Sequence, residues 1–129
     1  MAGYSTTLRN ARLDQISTAV GNAGLLRIYD GSRPATGGAA TTLLAELTCG
    51  TPFAPAAAAG VLTANAVTAD SSANASGTAS WARITTSGGT FVMDLSLGTS
   101  GTEVVINSTT VTITGNVSCS SIVITAGSA

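Results

Sequence analysis

The second half of the chain is a series of short runs rich in β-branched residues, separated by glycine, serine and asparagine. Thr78 to Thr85 and Thr90 to Leu95 flank Ser87-Gly88-Gly89, a connection typical of a β-hairpin. Three further runs follow: Glu103 to Asn107, Thr110 to Thr114 and Val117 to Thr125. Runs at this spacing predict the short strands of an all-β sandwich or barrel.

The chain begins differently, with a segment of helical periodicity. Ser5 to Val20 is predicted to be a helix because apolar residues recur near a period of 3.6. Those residues are Leu8, Ala11, Ile16, Ala19 and Val20, with Leu13 widening the stripe. Ser5 or Thr6 can cap the first amides, and Gly21-Asn22 supplies a left-handed stop.

Strands resume from Leu25, where Leu26 and Ile28 share one face. Thr42 to Cys49 and Val61 to Thr68 are predicted as further strands. Between them, the proline-rich residues 50–60 predict an extended loop anchored by Phe53. Residues 69–77 have the small polar composition typical of a mobile connection.

About eight short strands and one helix predict a mainly β fold: an antiparallel β-sandwich or partly closed barrel with one N-terminal α-helix. The length of 129 residues fits a single domain, 1–129, with the helix at about 5–20 and the β-sandwich at about 24–127. A lone tryptophan on an alternating strand favours a core position for Trp81, whereas a surface position would mark an interface anchor. Cys49 and Cys119 favour buried thiols, with a disulfide between two strands as the alternative.

Charge is sparse, with 9% charged residues and a formal net charge of −1. The basic residues are scattered, so no nucleic-acid partner is expected: Arg9, Arg12, Arg27, Arg33 and Arg83. The sequence contains no run of about 18 apolar residues, so no membrane-spanning helix is predicted. A surface with so few charges favours permanent burial against other copies or other proteins, because interfaces are depleted in charge.

The residue types needed for chemistry are few. Histidine and lysine are absent, which removes the usual neutral-pH acid/base and the P-loop lysine. The glycine-rich stretch 24–38 is therefore interpreted as a strand followed by a structural turn. The six acids never lie two within three residues of each other: Asp14, Asp30, Glu46, Asp70, Asp94 and Glu103. We expect no enzyme, and no cofactor, metal site or small-molecule substrate.

Four segments, in this order, carry a resemblance to a known family: LRNARLDQI from Leu8, GLLRIYDG from Gly24 with Arg33-Pro34 after it, LLAEL from Leu43, and GTASWAR from Gly77. In them the chain resembles small virion structural proteins of tailed bacteriophages, including Mu-like transposable phages. The resemblance implies a minor capsid or decoration protein on the capsid surface, made in the host bacterial cytoplasm. It also implies binding to the major capsid protein and association as a homotrimer.

Alternatives remain open at this point. A tail-associated protein of the tube, terminator or fibre-associated kind is one, and copy number per particle separates it from a decoration protein. A host-surface carbohydrate-binding module is another, and it requires exposed aromatics such as Trp81 or Tyr29. An enzyme requires carboxylates that converge. The residues predicted to form the assembly interface are Leu8, Arg12, Leu13 and Ile16 on the helix, with Arg33 reaching a carboxylate of a neighbouring subunit.

Overall fold

The computed structural model of the protein describes residues 3–125. One helix is followed by nine strands within these residues. Their bounds are α1 Thr6–Val20, β1 Leu25–Tyr29, β2 Leu43–Thr48, β3 Val61–Thr63, β4 Gly77–Thr78, β5 Trp81–Thr85, β6 Phe91–Gly98, β7 Val104–Ile106, β8 Thr110–Val111 and β9 Cys119–Thr125.

Seven strands form one sheet in the order β2-β1-β5-β6-β7-β9-β3, and β4 pairs with β8 in a separate ribbon. The large sheet curls into a half-barrel, which confirms the predicted mainly β class with a single N-terminal helix. The predicted hairpin is also confirmed, since β5 and β6 pair antiparallel on either side of residues 86–90.

One strand pair departs from the expected antiparallel arrangement. β6 and β7 run parallel through Leu97↔Val104 and Gly98↔Val105. Parallel neighbours usually need a long crossover, but here the chain returns through residues 99–103 alone. The turn is held by Glu103, whose carboxylate accepts hydrogen bonds from the backbone N–H and the hydroxyl of Ser96 at 3.1 and 3.3 Å.

The edge of β2 is joined to the far side of the half-barrel by residues 68–75. Thr68 forms an antiparallel bridge with Thr48 of β2, and Asp70 forms one with Val117. Asn74 N–H donates to the Leu44 carbonyl at 2.8 Å. The segment predicted as a mobile connection is therefore hydrogen-bonded on both sides, because an exposed strand edge needs partners for its backbone groups.

The core lies on the inner face of the curled sheet. Leu26 and Ile28 point into it as predicted, opposite Ile84 and Ala82 of β5. Phe53 anchors the proline-rich loop 50–60 as predicted and is fully buried. The strands predicted over Val61 to Thr68 and Thr110 to Thr114 are shorter than expected, at three and two residues.

The helix begins at the predicted cap, where the Ser5 side chain accepts from Leu8 N–H, and ends at Gly21 with a positive φ of 70°. Its inward side is formed by Leu13 and Val20, with Ile16 packed at the margin of the core. The predicted stripe is wrong in part, because Leu8, Ala11 and Ala19 face outward.

Two backbone N–H groups of the loop 50–60 donate to side chains of the helix and hold it in this orientation. Asp14 accepts from Ala57 N–H at 2.7 Å, and Asn10 accepts from Gly60 N–H at 2.9 Å. Each joins residues more than 40 positions apart in the sequence. Periodicity within the helix carries no information on such contacts, so it could not select the inward face.

Truncation of the two leucines of the helix should destabilise the domain to very different extents. Leu13 is 3% exposed, and Leu13→Ala is expected to lower the free energy of unfolding by about 2–5 kcal/mol through loss of buried surface and a residual cavity. Leu8 is 45% exposed, and Leu8→Ala should change the free energy of unfolding by no more than about 0.5 kcal/mol. Urea unfolding of both variants checks this, and equal losses would contradict the orientation of the helix.

Gly24 should tolerate no side chain. It is buried between α1 and β1, where a Cβ would overlap Val20 Cγ1 and lie 2.9 Å from the Thr85 carbonyl oxygen. We expect Gly24→Ala to cost about 1–3 kcal/mol in thermal or urea unfolding, the range for overpacking a filled site. Gly88→Ala is the matched control, since the nearest atom to its Cβ is 3.9 Å away.

Candidate functional site

Four charged residues form one row across the face of the sheet that points away from the core. Strand register places Glu46 of β2 beside Arg27 of β1, Arg27 beside Arg83 of β5, and Arg83 beside Asp94 of β6. Ion pairs close both ends, at 2.9 Å for Arg27–Glu46 and 2.7 Å for Arg83–Asp94. The two arginines are direct neighbours, so each depends on its own carboxylate for neutralisation.

The two ion pairs differ in burial. The side chains of Arg27 and Glu46 are 30% and 37% exposed, whereas those of Arg83 and Asp94 are 12% and 0% exposed. Water screens the first pair and hardly reaches the second. The Arg83–Asp94 pair is therefore the one on which local structure depends.

Aromatic rings enclose Arg83. Its guanidinium carbon lies 5.2 Å from the centroid of the Trp81 ring and 5.0 Å from that of Phe91. Tyr29 stacks on Trp81 with centroids 4.6 Å apart. Planar guanidinium groups suit such positions, because they stack on aromatic faces while still donating hydrogen bonds in their own plane.

The anchored loop, residues 30–42, crosses this face and is fastened to the pair. Asp94 Oδ2 accepts from Gly37 N–H at 3.1 Å, and Arg83 donates to the Gly38 carbonyl at 2.8 Å. Gly31 and Gly37 have positive φ angles of 71° and 74°, as expected of turn glycines. The backbone N–H of Gly37 is thus satisfied by a carboxylate of the protein itself.

The anchored loop also covers the aromatic residues. Trp81 Nε1 donates to the Asp30 carbonyl at 3.0 Å and to Thr41 Oγ1 at 3.1 Å. Trp81 is 1% exposed and Tyr29 5% exposed, so the predicted buried position of Trp81 is confirmed. Neither ring is available as a binding platform, whereas Phe91 at the end of the stack is 38% exposed.

The pKa of Asp94 lies below the usual value. Burial is the largest influence and by itself raises the pKa. The hydrogen bond from Arg83, the N–H of Gly37 and the positive charges of Arg83 and Arg33 act in the opposite direction and together outweigh burial. The pKa of Arg83 is raised, chiefly by its hydrogen bond to Asp94. Both groups are therefore ionised at neutral pH.

All six carboxylates accept hydrogen bonds within the domain. Besides Asp94 and Asp14, which fasten the two long loops, Asp70 accepts from Glu46 N–H at 3.0 Å and from Ser72 N–H at 2.9 Å. The others bond as follows: Asp30 to Thr42 N–H, Glu103 to Ser96 and Glu46 to Arg27. Within residues 3–125, no three acids or cysteines converge as a metal site would need.

The two thiols form no disulfide with each other. Cys49 is buried as predicted, and burial, with a smaller contribution from Cys119, raises its pKa to about 12. Cys119 is half-buried and lines a cavity of about 330 Å³ between residues 64–67 and 119–122. Burial also raises the pKa of Cys119, so both thiols stay protonated at neutral pH and are weak nucleophiles.

The five residues predicted to form the assembly interface do not share one surface. Leu8 and Arg12 are exposed on the outward side of α1, and Arg33 is exposed in the anchored loop. Leu13 is buried and Ile16 packs against the core. A partner that binds the folded domain therefore reaches Leu8, Arg12 and Arg33, while Leu13 acts through folding.

The sequence did contain a signal for the Arg83–Asp94 pair. Both residues are equally far from the centre of the predicted hairpin at Gly88-Gly89, and a tight hairpin places such residues opposite each other. The attachment of the anchored loop had no comparable signal, because Gly37 and Asp94 are 57 positions apart.

The Asp94 carboxylate should matter more than its exposed counterpart in the same row. At pH 7, Asp94→Asn leaves Arg83 without a counter-ion in a buried position, and we expect a loss of about 3–5 kcal/mol in the free energy of unfolding. Glu46→Gln is the control, with an expected loss below about 1 kcal/mol because water screens that pair. Urea titrations measure both, and equal losses would argue against the anchoring role.

The same pair should make the free energy of unfolding fall at acidic pH. Because the Asp94 pKa is lower in the folded chain, its contribution is present above the unfolded value of about 3.9 and is lost as pH falls from there through the lowered value. Wild-type stability should therefore drop below about pH 4. Asp94→Asn should show a shallower drop in unfolding titrations between about pH 5 and pH 2, and identical slopes would refute this origin.

Comparison with known proteins adds no relative. No protein-family model, curated protein or solved structure matched the chain significantly. Among residues 3–125, no helix has the length and apolar character needed to cross a membrane.

Proposed function

We propose that the protein is a structural component of a bacteriophage virion: a minor capsid or decoration protein that binds the assembled capsid shell and stabilises it. It is made in the host bacterial cytoplasm, associates as a homotrimer and contacts the major capsid protein. The proposal includes no catalysis, cofactor, nucleic acid or membrane.

The observation that carries the proposal is the use of the acidic groups. Each of the six carboxylates accepts a hydrogen bond within the domain, and Asp14, Asp70 and Asp94 fasten segments that are distant in sequence. A catalytic or ligand-binding site needs polar groups that are free to engage a substrate. Polar groups that are already used to hold loops in place suit a structural protein, whose role depends on a rigid fold.

The resemblance to small virion proteins supplies the setting. Its four segments cover the middle of helix α1, strand β1 with the start of the anchored loop, most of strand β2, and β4 with the first three residues of β5. Arg27, Glu46 and Arg83, three of the four charged residues in the row across the outer face of the sheet, therefore lie within the four segments that carry the resemblance. The likeness thus involves the residues that define this face of the domain.

The proposed mechanism is cementing. A protein that binds the assembled shell, and not its separated subunits, stabilises the assembly by mass action. A copy that bridges adjacent capsid subunits raises the work needed to separate them. Repetition over a symmetric shell then converts many weak contacts into firm attachment.

Of the alternatives, a carbohydrate-binding module receives little support from the aromatic residues. Such modules need exposed rings, and the two that the sequence put forward for this role, Trp81 and Tyr29, are buried under the anchored loop. A tail-associated role is compatible with the same fold, so the two structural roles are separated by counting copies.

The copy number of this chain in purified virions decides between them. Quantitative mass spectrometry against the major capsid protein should give a large fixed ratio, near one to one or another symmetric fraction. A few copies to a few dozen per particle would move the protein to the tail or to a single vertex, and its absence from virions would refute the proposal.

A further inference from the structure

The outward side of helix α1 carries large side chains that the domain itself does not cover. Tyr4 is 39% exposed and Leu8 45% exposed, and the exposed Arg12 lies on the same side. Leu8 and Arg12 are four positions apart on α1 and lie one above the other, and Tyr4 precedes the helix with its ring beneath the Arg12 guanidinium. We call them the outward stripe.

The outward stripe is already ordered in the isolated domain. The Arg12 guanidinium lies 4.8 Å from the centroid of the Tyr4 ring. Holding two long side chains against each other lowers the conformational entropy that a partner would have to remove on binding. Tyrosine and arginine are also the residue types that most often dominate the energy of protein interfaces.

The charge on this side of the helix is one-sided. The acid of α1, Asp14, points the other way and accepts from Ala57 N–H. Arg12 takes part in no ion pair with any residue from 3 to 125. A cation beside two exposed apolar side chains is complementary to a partner surface that offers an apolar contact and a carboxylate.

A second copy of this chain is a poor source of that carboxylate. All six acids of the chain already accept hydrogen bonds within their own domain, and none of them is fully exposed. In a self-contact at the stripe, Arg12 would have to share a carboxylate that already has a donor in its own domain. Charge complementarity therefore favours a different protein as the occupant.

We infer that the outward stripe Tyr4–Leu8–Arg12 docks onto an apolar, carboxylate-bearing surface of another protein, and that this partner is the capsid shell. The second part of the inference rests on the proposed function. The homotrimer contact then lies elsewhere on the domain.

The test measures binding of purified chain to shells of the major capsid protein taken from particles that lack this chain. Co-sedimentation gives the dissociation constant for wild type, Leu8→Asp and Arg12→Glu. Each substitution should weaken binding at least about tenfold, and wild-type binding should weaken as salt rises. Both residues are exposed, so thermal unfolding should stay close to wild type.

Matched controls keep the result interpretable. Ser71→Asp adds the same charge as Leu8→Asp at an exposed position in another segment and should bind within about threefold of wild type. Arg12→Lys keeps the positive charge and should retain most of the binding, whereas Arg12→Glu should not. Sedimentation of the chain alone reports whether either substitution alters its oligomeric state.

The outcomes separate the inference from the proposed function. If wild type binds shells and Leu8→Asp and Arg12→Glu bind equally well, the stripe is not the docking surface and the proposed function stands. If wild type does not bind shells, the cementing function fails. If Leu8→Asp dissolves a homo-oligomer while leaving shell binding unchanged, the occupant is a second copy and the inference is overturned.

Discussion

The carboxylates of this domain hold its loops. A long loop exposes backbone N–H groups that need acceptors, and here acidic side chains on regular elements supply them. Asp94 of β6 accepts from Gly37 in the anchored loop, and Asp14 of α1 accepts from Ala57 in the proline-rich loop. Because the chain has only six acids, this use leaves little acidic surface for anything else.

The Arg83–Asp94 pair shows what such an arrangement requires. Taking a carboxylate fully out of water is costly, and the cost is offset only if its remaining lone pairs find donors. Arg83 and Gly37 N–H provide them, and the rings of Trp81 and Phe91 shield the guanidinium. In turn, the pair fixes the anchored loop, and the loop covers Trp81 and Tyr29. The absence of an exposed indole platform thus follows from one buried ion pair.

Sequence patterns predicted the parts of the fold that depend on local alternation. The inward positions of Leu26 and Ile28 and the β5–β6 hairpin follow from a period of two and a turn. Trp81 is buried as predicted, but the anchored loop buries it, and strand alternation does not. The inward face of α1 could not be derived in the same way, because apolar residues occur on both sides of the helix. Contacts with the distant loop 50–60 decide it, and they place Leu8 outside and Leu13 inside.

The candidate site divides along the same line. Leu8, Arg12 and Arg33 were identified from sequence and are exposed, but Tyr4 was not, since it precedes the helical period that drew attention to the others. Its place in the outward stripe comes from the stacking of Arg12 on its ring. The parallel β6–β7 pair was also missed, because five intervening residues normally indicate a hairpin.

A docking surface of three side chains sets limits on how the protein can act. Burying one leucine contributes about 1.5–3 kcal/mol, whereas association costs about 4–15 kcal/mol in lost translational and rotational freedom. A single domain attached through the outward stripe alone would therefore bind weakly. Several stripes presented by one oligomer to a repeating lattice bind together, because each later contact forms at high effective concentration. Under the proposed function, a small, lightly charged domain with a modest contact surface is thus better suited to a repeated position on a shell than to a solitary one.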